Sequence, residues 1–503
     1  MQTLLQDDPH DQRLLANSHP PDWRNPPIAK RYNLAVIGAG TAGLVCAAAA
    51  AGLGAKVALI ERELMGGECL NSGCVPSKAL LRAARAYGDA TRAAEYGLTA
   101  SSGVGIDFAT VMKRMRRVRA ELSEKDAASR LRSLGVDLFF GEGRFAGPDS
   151  IELMGQTLRF SRAVIATGSL SASLPIKGLT ETGFLTNETI FSLNTLPRRL
   201  LVVGGGPNGC ELAQAFSRFG SRVTLLEAEP SILPREDADA AQIIRKALLR
   251  EGIKIIENCR IQQVRQSANE RFACVAANGI CREIAFDQIF LAVGRLPMVE
   301  GLRLEVAGVR YDRLKGVLTD ERLRTSNPRI FAAGDVCSVS KFTHLADAMA
   351  RIVVRNALFR GREKLSALTI PSCIYTDPEV AHVGLYEHEA LERRIPVETF
   401  FQPLADVDRA IIDGETEGFL KIHVRRGTDQ IVGATLVAKH AGETISELTM
   451  AIAARIGLKA VARIIHAYPT QAEAIRKVAD SYNRSRLTPR VRWLLGKWFT
   501  LTR

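Results

Sequence analysis

No stretch of about 18 to 20 consecutive apolar residues occurs in the 503-residue chain, so no membrane-crossing helix is expected. The most apolar segment, Gly38 to Ala55, is rich in alanine and glycine and broken by turn glycines. The first thirty residues contain several acids and prolines and no apolar core able to serve as a signal sequence; they are expected to form an arm on the surface. Nine cysteines, an odd count behind no signal sequence, read as mostly reduced thiols of an intracellular, cytoplasmic protein rather than as a disulfide framework. With 46% hydrophobic and 24% charged residues, collagen-like, mucin-like and wholly disordered classes are excluded. The length suggests about three domains.

Two glycine-rich turns carry the first functional signal. In residues 33–61 an apolar run ends at Ile37 and turns through Gly38, Gly40 and Gly43. An alanine-rich helical stretch follows, then a second apolar run ending at Glu61. Gly38 permits a tight turn, Gly40 lets a pyrophosphate approach the backbone, and Gly43 allows close packing of helix on strand. The helix N-terminus points free N–H groups at the anion, and Glu61 is placed to accept from a ribose diol. Residues 199–227 repeat the pattern with Gly204, Gly206, Gly209 and Glu227. Two dinucleotides are therefore implied. A carboxylate at Glu227 accepts from a free 2′-hydroxyl and repels a 2′-phosphate, which favours NADH over NADPH; Arg222 and Arg235 nearby in sequence weaken the preference.

Between the two turns lies GGECLNSGCVPSKAL, residues 66–80. Cys69 and Cys74 sit in a glycine-rich loop where a helix is expected to begin near Cys74, with Pro76 tolerated in its first turn. A helix N-terminus stabilises a thiolate and makes the sulfur nucleophilic. The alternatives are a pair of buried free cysteines or half of a zinc site. Zinc would want a second closely spaced pair, and the remaining cysteines offer none nearby, so no resident metal site is read here.

On these residues the sequence resembles the pyridine nucleotide–disulfide oxidoreductases, the family of dihydrolipoamide dehydrogenase, glutathione reductase and mercuric reductase, over most of its length. The resemblance implies an α/β fold with two Rossmann-like dinucleotide-binding domains, for FAD and for NAD(P), and a C-terminal α/β dimerisation domain, hence a homodimer. It implies FAD on the Gly38 turn, with Gly143, Thr167, Gly168, Asp335, Phe342, Thr343 and His344 among its contacts, and NADH or NADPH on the Gly204 turn with Gly294. A Cys69–Cys74 disulfide would lie against the flavin, with Cys74 facing the flavin and Cys69 exchanging with substrate. Lys78 would pair with Glu211 to tune the flavin and meet the nicotinamide. The implied order is an arm at 1–30, FAD domain at 31–185, NAD(P) domain at 186–295, return to the FAD and central region at 296–368, and dimerisation domain at 369–482.

The chain departs from the family pattern near its end. A His-x-His-Pro-Thr-x-x-Glu signature is expected, and the chain has His466-Ala467-Tyr468-Pro469-Thr470-Gln471-Ala472-Glu473. Tyr468 stands where the acid/base histidine would, and a phenol of pKa about 10 cannot take over a proton transfer near neutrality. Tyrosine here resembles mercuric reductase, whose soft-metal chemistry needs thiolates rather than that proton shuttle. That enzyme's vicinal cysteine pair near the C-terminus is missing, the last cysteine being Cys373. The expectation is an NAD(P)H-dependent flavoprotein that passes electrons through Cys69 and Cys74 to a metal-ion or disulfide-type acceptor. Dihydrolipoyl dehydrogenase is the alternative within the enzyme class, and a non-turnover flavin-binding scaffold the alternative outside it. His466 reads as an interface histidine before a substitute base.

The net charge of +13 is concentrated. Arg476 to Arg503 holds eight basic residues and one acid, Asp480, with Trp493, Trp498, Leu494, Leu495, Phe499 and Leu501 among them. Pro489 can begin a short helix. Residues 485–503 read equally as a contact for a membrane surface or as a tail packed on its own dimer. The small excess elsewhere calls for no nucleic-acid partner.

Overall fold

The run Tyr32–Ile37 forms a strand in which Asn33 alone is exposed, the pattern of a parallel strand covered on both faces. The computed structural model describes residues 5, 8–99, 105–267, 270–277 and 279–503. It divides into two units, one of Met1–Pro230 and Gly252–Ala367, the other of Ser231–Glu251 and Leu368–Arg503.

In the first unit, Tyr32–Ile37 pairs in parallel with Val57–Glu61 on one side and with Gln156–Ile165 on the other. Val136–Phe140 extends the sheet beyond Val57–Glu61, and Ile330–Ala332 joins Gln156–Ile165, both in parallel. Gly143–Gly147 and Ser150–Leu153 complete it as an antiparallel meander. Because neighbours on the two sides of Tyr32–Ile37 are reached by different crossovers, a crevice opens beyond its C-terminal end, where Gly38 turns. Ala35, Ile37, Phe145, Phe160 and Ile330 pack in the core of this sheet.

A second parallel sheet in the same unit runs Lys254–Ile256, Arg222–Leu226, Arg199–Val203, Gln288–Leu291. The helix Pro207–Arg218 links its two central strands. An antiparallel sheet of Cys259–Ser267, Glu270–Ala277 and Ile280–Phe286 lies beside it in the chain. The unit therefore carries two Rossmann-like strand–helix–strand folds.

The second unit is built on five antiparallel strands in the order Pro371–Ile374, Glu379–Gly384, Ile431–Ala438, Phe419–Arg425, Val397–Pro403. The helices Ala441–Ala453 and Glu473–Ser485 supply Ile445, Leu448, Ile475, Val478 and Tyr482 to its core.

One expectation needs correction. The first thirty residues are more than a surface arm: Pro9–Ser18 is a helix whose Leu14 is fully buried. Its Asp11 forms a 2.6 Å ion pair with Arg119, both side chains buried, and a charge withdrawn from water requires such a partner. Residues 231–251 of the 186–295 segment belong to the second unit. Lys421 Nζ lies 2.7 Å from carboxylates of both Asp237 and Asp239, and Tyr386 donates to Glu236 at 2.5 Å. Cys274 and Cys281 are disulfide-bonded, the pairing of their strands setting Cys281 opposite Ala276 and the two Cα atoms 6.1 Å apart. The other seven cysteines are free, Cys69 and Cys74 included.

Candidate active site

The first turn is shaped by contacts no side chain would survive. Gly38 adopts φ +101°, and a Cβ there would stand 2.4 Å from the Ala166 carbonyl oxygen; a Cβ on Gly43 would stand 1.8 Å from the Gly38 oxygen. Gly204 and Gly209 repeat both features, with clashes of 2.5 and 1.9 Å against Ala292 and Gly204 oxygens. By contrast, a Cβ at Gly206 meets nothing within 4 Å, and at Gly40 only the Gly67 Cα at 3.7 Å. The helices Thr41–Gly52 and Pro207–Arg218 start at Gly40 and Gly206 with no side chain capping them. Their first N–H groups are thus left for an anion, and the open ground at Gly40 and Gly206 is where a pyrophosphate would approach.

Both terminal acids turn back to these loops. Glu61 accepts from the N–H groups of Ala39 (2.7 Å) and Glu63 (2.8 Å); Glu227 accepts from Gly205 (2.6 Å) and Glu229 (2.9 Å). A carboxylate offers about four acceptor sites, so acceptor capacity remains on each for a ribose hydroxyl. Burial pushes the Glu61 pKa upward, while the backbone donors oppose the shift. These cradles fit FAD and NAD(P)H.

A cleft of about 560 Å³ begins at the first turn. It brings together Gly38, Gly40, Glu61, Cys69, Cys74, Lys78, Gly143, Thr167, Gly168, Glu211, Asp335 and Thr343. Gly43 lies beneath the turn rather than on the cleft. Phe342 and His344 stack on each other, ring centroids 5.2 Å apart, and do not line it. Gly204, Gly206, Gly209, Glu227 and Gly294 do not line it; from the second sheet and its helix Pro207–Arg218, Phe290, Asn208, Glu211 and Leu212 do.

Cys69 sits in the short helix Gly67–Asn71, and Cys74 is the first residue of the helix Cys74–Thr91. The Cys74 pKa is drawn down to about 6, first by a hydrogen bond from the Cys69 thiol, then by the Thr343 hydroxyl and the Lys78 ammonium, against desolvation. Thr343 Oγ1 lies 3.3 Å from Cys74 Sγ. Cys69 is driven upward by the same hydrogen bond, so the proton of the pair resides on Cys69 and the negative charge on Cys74. Behind them Lys78 Nζ sits 2.9 Å from Oε2 of the buried Glu211.

A polar network that sequence reasoning overlooked surrounds Glu68. Its Oε1 meets Arg295 Nη1 at 2.7 Å and accepts from Asn187 Nδ2 at 3.0 Å. Ser169 links Arg295 to Asp335, accepting from Arg295 Nε (2.9 Å) and donating to Asp335 Oδ2 (2.6 Å). Burial pushes the Glu68 pKa up to about 7 despite Arg295. An acid directly before Cys69 in a loop of small residues was the available signal. On the far side of this loop Arg119 Nη1 donates to the Asn71 carbonyl at 2.9 Å, so the Asp11–Arg119 pair braces the redox segment.

Tyr468 and Glu473 lie in the second unit. Tyr468 is 70% exposed and donates to Asp408 Oδ2 at 2.9 Å rather than to Glu473. That hydrogen bond raises the phenol's pKa further above neutrality. Glu473 lies 3.5 Å from Lys477, with its Oε2 buried and lacking a hydrogen-bond partner. His466 is held 2.8 Å from Glu447 Oε1 and is largely buried.

Two dinucleotide cradles around a dithiol define a class of flavin-dependent disulfide oxidoreductase. Residues 32–350 match the family model described as pyridine nucleotide-disulphide oxidoreductase, and residues 370–479 match that family's dimerisation domain. The chain belongs to this family, whose members use FAD and NAD(P)H and pair as homodimers through that domain. It is 34% identical to mercuric reductase of Staphylococcus aureus, covering 90% of this chain and 83% of that protein. It is 35% identical to dihydrolipoyl dehydrogenase of Thermus scotoductus, covering 90% and 98%. Among solved structures, the Cu(II) complex of the HOCl-induced flavoprotein disulfide reductase RclA from Escherichia coli superposes with a TM-score of 0.79 at 29% identity, covering 88% of this chain and 99% of that one.

Proposed function

We propose that the protein is an NAD(P)H-dependent, mercuric reductase-like flavoprotein that delivers electrons from the Cys69/Cys74 pair to a soft metal ion or a disulfide-type acceptor. The observation that carries this reading is the polarised dithiol, with a thiolate stabilised at Cys74 and a thiol at Cys69, in a chain whose acid/base histidine position is Tyr468. When bound, FAD supplies the hydride acceptor for NAD(P)H and the two-electron donor to the disulfide. In this reading Gly38, Gly40, Gly43 and Glu61 hold its pyrophosphate and ribose. Gly143, Thr167, Gly168, Asp335 and Thr343 line the remainder of its cleft, while Phe342 and His344 support the segment that carries Thr343. Gly204, Gly206, Gly209, Glu227 and Gly294 hold the nicotinamide nucleotide, with NADH preferred.

The chain's own residues divide the work. Lys78 and Thr343 keep Cys74 ionised, and Glu211 holds Lys78 in place. Cys69, the more basic sulfur, exchanges with the acceptor: reduction of the pair breaks one S–S bond and leaves one thiol and one thiolate. Reduction of an acceptor disulfide re-forms that bond and yields one acceptor thiol, which takes the Cys69 proton, and one acceptor thiolate, which takes a proton from solvent; a divalent ion taking both electrons leaves as the metal, and the Cys69 proton passes to solvent. Tyr468, hydrogen-bonded to Asp408, performs no proton transfer near neutrality. The Cu(II) complex of the similar flavoprotein RclA supports a metal among the acceptors.

Anaerobic titration of the flavin-loaded protein with NADH should produce a long-wavelength thiolate-to-flavin band that Cys74→Ser abolishes. Absence of the band in the wild type removes the redox-pair reading. Turnover with Hg(II), Cu(II), small disulfides and quinones is then compared with dihydrolipoamide plus NAD⁺. Dominant activity in the last assay replaces this reading with dihydrolipoyl dehydrogenase.

A further inference from the structure

The last helix, Pro489–Leu501, is a well-formed element whose residues all remain exposed. Its N-terminus is closed by the Thr488 side chain, which accepts from the Val491 N–H, and none of its residues is buried. At about 100° per residue, Leu501, Leu494, Trp498, Val491, Leu495 and Phe499 fall in one unbroken arc of about 160°. Trp498, Phe499 and Leu501 are 61%, 63% and 84% exposed. Arg490 and Arg492 border the arc on its two rims, and Lys497 lies on the polar side with its ammonium 3.9 Å from the Trp493 ring centroid. No acidic residue follows Asp480.

A contiguous arc of large apolar side chains in water marks a surface that something covers. The helix rises about 20 Å along its axis, which is too short to span a bilayer. A second copy of the helix would bring a second set of Arg484, Arg486, Arg490, Arg492, Lys497 and Arg503 against the first, with no acid to balance them. The match to the dimerisation domain ends at residue 479, before this helix begins. An anionic lipid surface meets both needs: acyl chains take the apolar arc, while phosphates neutralise cations whose aliphatic stems reach outward from its rims.

We propose that Pro489–Leu501 is an in-plane docking helix for a bilayer rich in anionic phospholipid, holding the flavoprotein at a membrane face. The proposal is independent of which acceptor the redox pair reduces. Each cation near such a surface strengthens binding about fivefold, and two helices per dimer multiply the effect.

The test uses the flavin-loaded dimer and vesicles of phosphatidylcholine, with or without a third of phosphatidylglycerol. Wild type should sediment with the phosphatidylglycerol vesicles at low salt, with a blue-shifted tryptophan emission. Leu494→Glu/Trp498→Glu should lower the partition coefficient by at least about tenfold. Arg490→Gln/Arg492→Gln should lower it roughly 25-fold on phosphatidylglycerol vesicles and leave the weak binding to pure phosphatidylcholine unchanged. NADH-dependent turnover in solution should match wild type in both variants, which reports that the fold is intact. Equal vesicle binding by wild type and Leu494→Glu/Trp498→Glu overturns the proposal. So does loss of the dimer by sedimentation velocity in that variant with vesicle binding unchanged, because the helix would then pack between copies of the chain.

Discussion

Thr343→Val removes one hydroxyl from beside Cys74 while keeping the branched shape of the side chain. In the structure that hydroxyl lies 3.3 Å from Sγ and is one of three groups holding the thiolate pKa down, with the Cys69 thiol the largest and the Lys78 ammonium the third. A hydrogen bond to a charged acceptor contributes roughly 1.5–3 kcal/mol in a buried setting. Because Cys74 faces the cleft, solvent trims this to about 1.4 kcal/mol, or about one pKa unit. The sign follows from the acid equilibrium: the charged form is favoured in the folded protein, so the thiolate is present above the depressed pKa and lost as pH falls through it. In wild type the loss is centred near pH 6; in Thr343→Val it should be centred about one unit higher. The assay is the pH dependence of iodoacetamide alkylation and of thiolate ultraviolet absorbance in the reduced, flavin-loaded protein, with Cys74→Ser as the blank. Thr343→Ser should restore most of the wild-type midpoint. An unchanged midpoint in Thr343→Val, or a wild-type midpoint near that of an ordinary cysteine, refutes the reasoning.

Two further outcomes test the scaffold. Gly43→Ala places a methyl carbon 1.8 Å from the Gly38 oxygen, and opening the turn to admit it should cost about 3 kcal/mol; the purified protein should then lack the visible flavin spectrum, whereas retention of full flavin content would contradict the cradle. Arg119→Met breaks a buried pair with Asp11 and should cost roughly 3–5 kcal/mol by urea denaturation. It should also slow reduction of the Cys69/Cys74 pair, since the Asn71 carbonyl loses its donor. A stability change below about 1 kcal/mol would show that the pair carries no such role.

The amino-acid sequence by itself determined the local chemistry. Backbone turns that exclude a Cβ have one residue type available, so Gly38, Gly43, Gly204 and Gly209 were legible as glycines between apolar runs. The start of a helix at Cys74, with Pro76 in its first turn, was legible because both follow from backbone rules within a few residues. The pairing of Lys78 with Glu211 came from resemblance, and their 133-residue separation lies beyond any local pattern. What only the tertiary structure decided depends on contacts between distant segments. A helix among prolines near the start of the chain became core because Arg119, about a hundred residues later, needed a buried carboxylate. Cys274 met Cys281 through strand register, which spacing alone leaves open. Glu68 gained a raised pKa and an Arg295 partner 227 residues away, because burial and electrostatic field are properties of the folded cleft rather than of the loop. Phe342 and His344 turned aside from that cleft while Thr343 entered it, since at a helix start adjacent side chains point in different directions and only packing selects which one meets the sulfur.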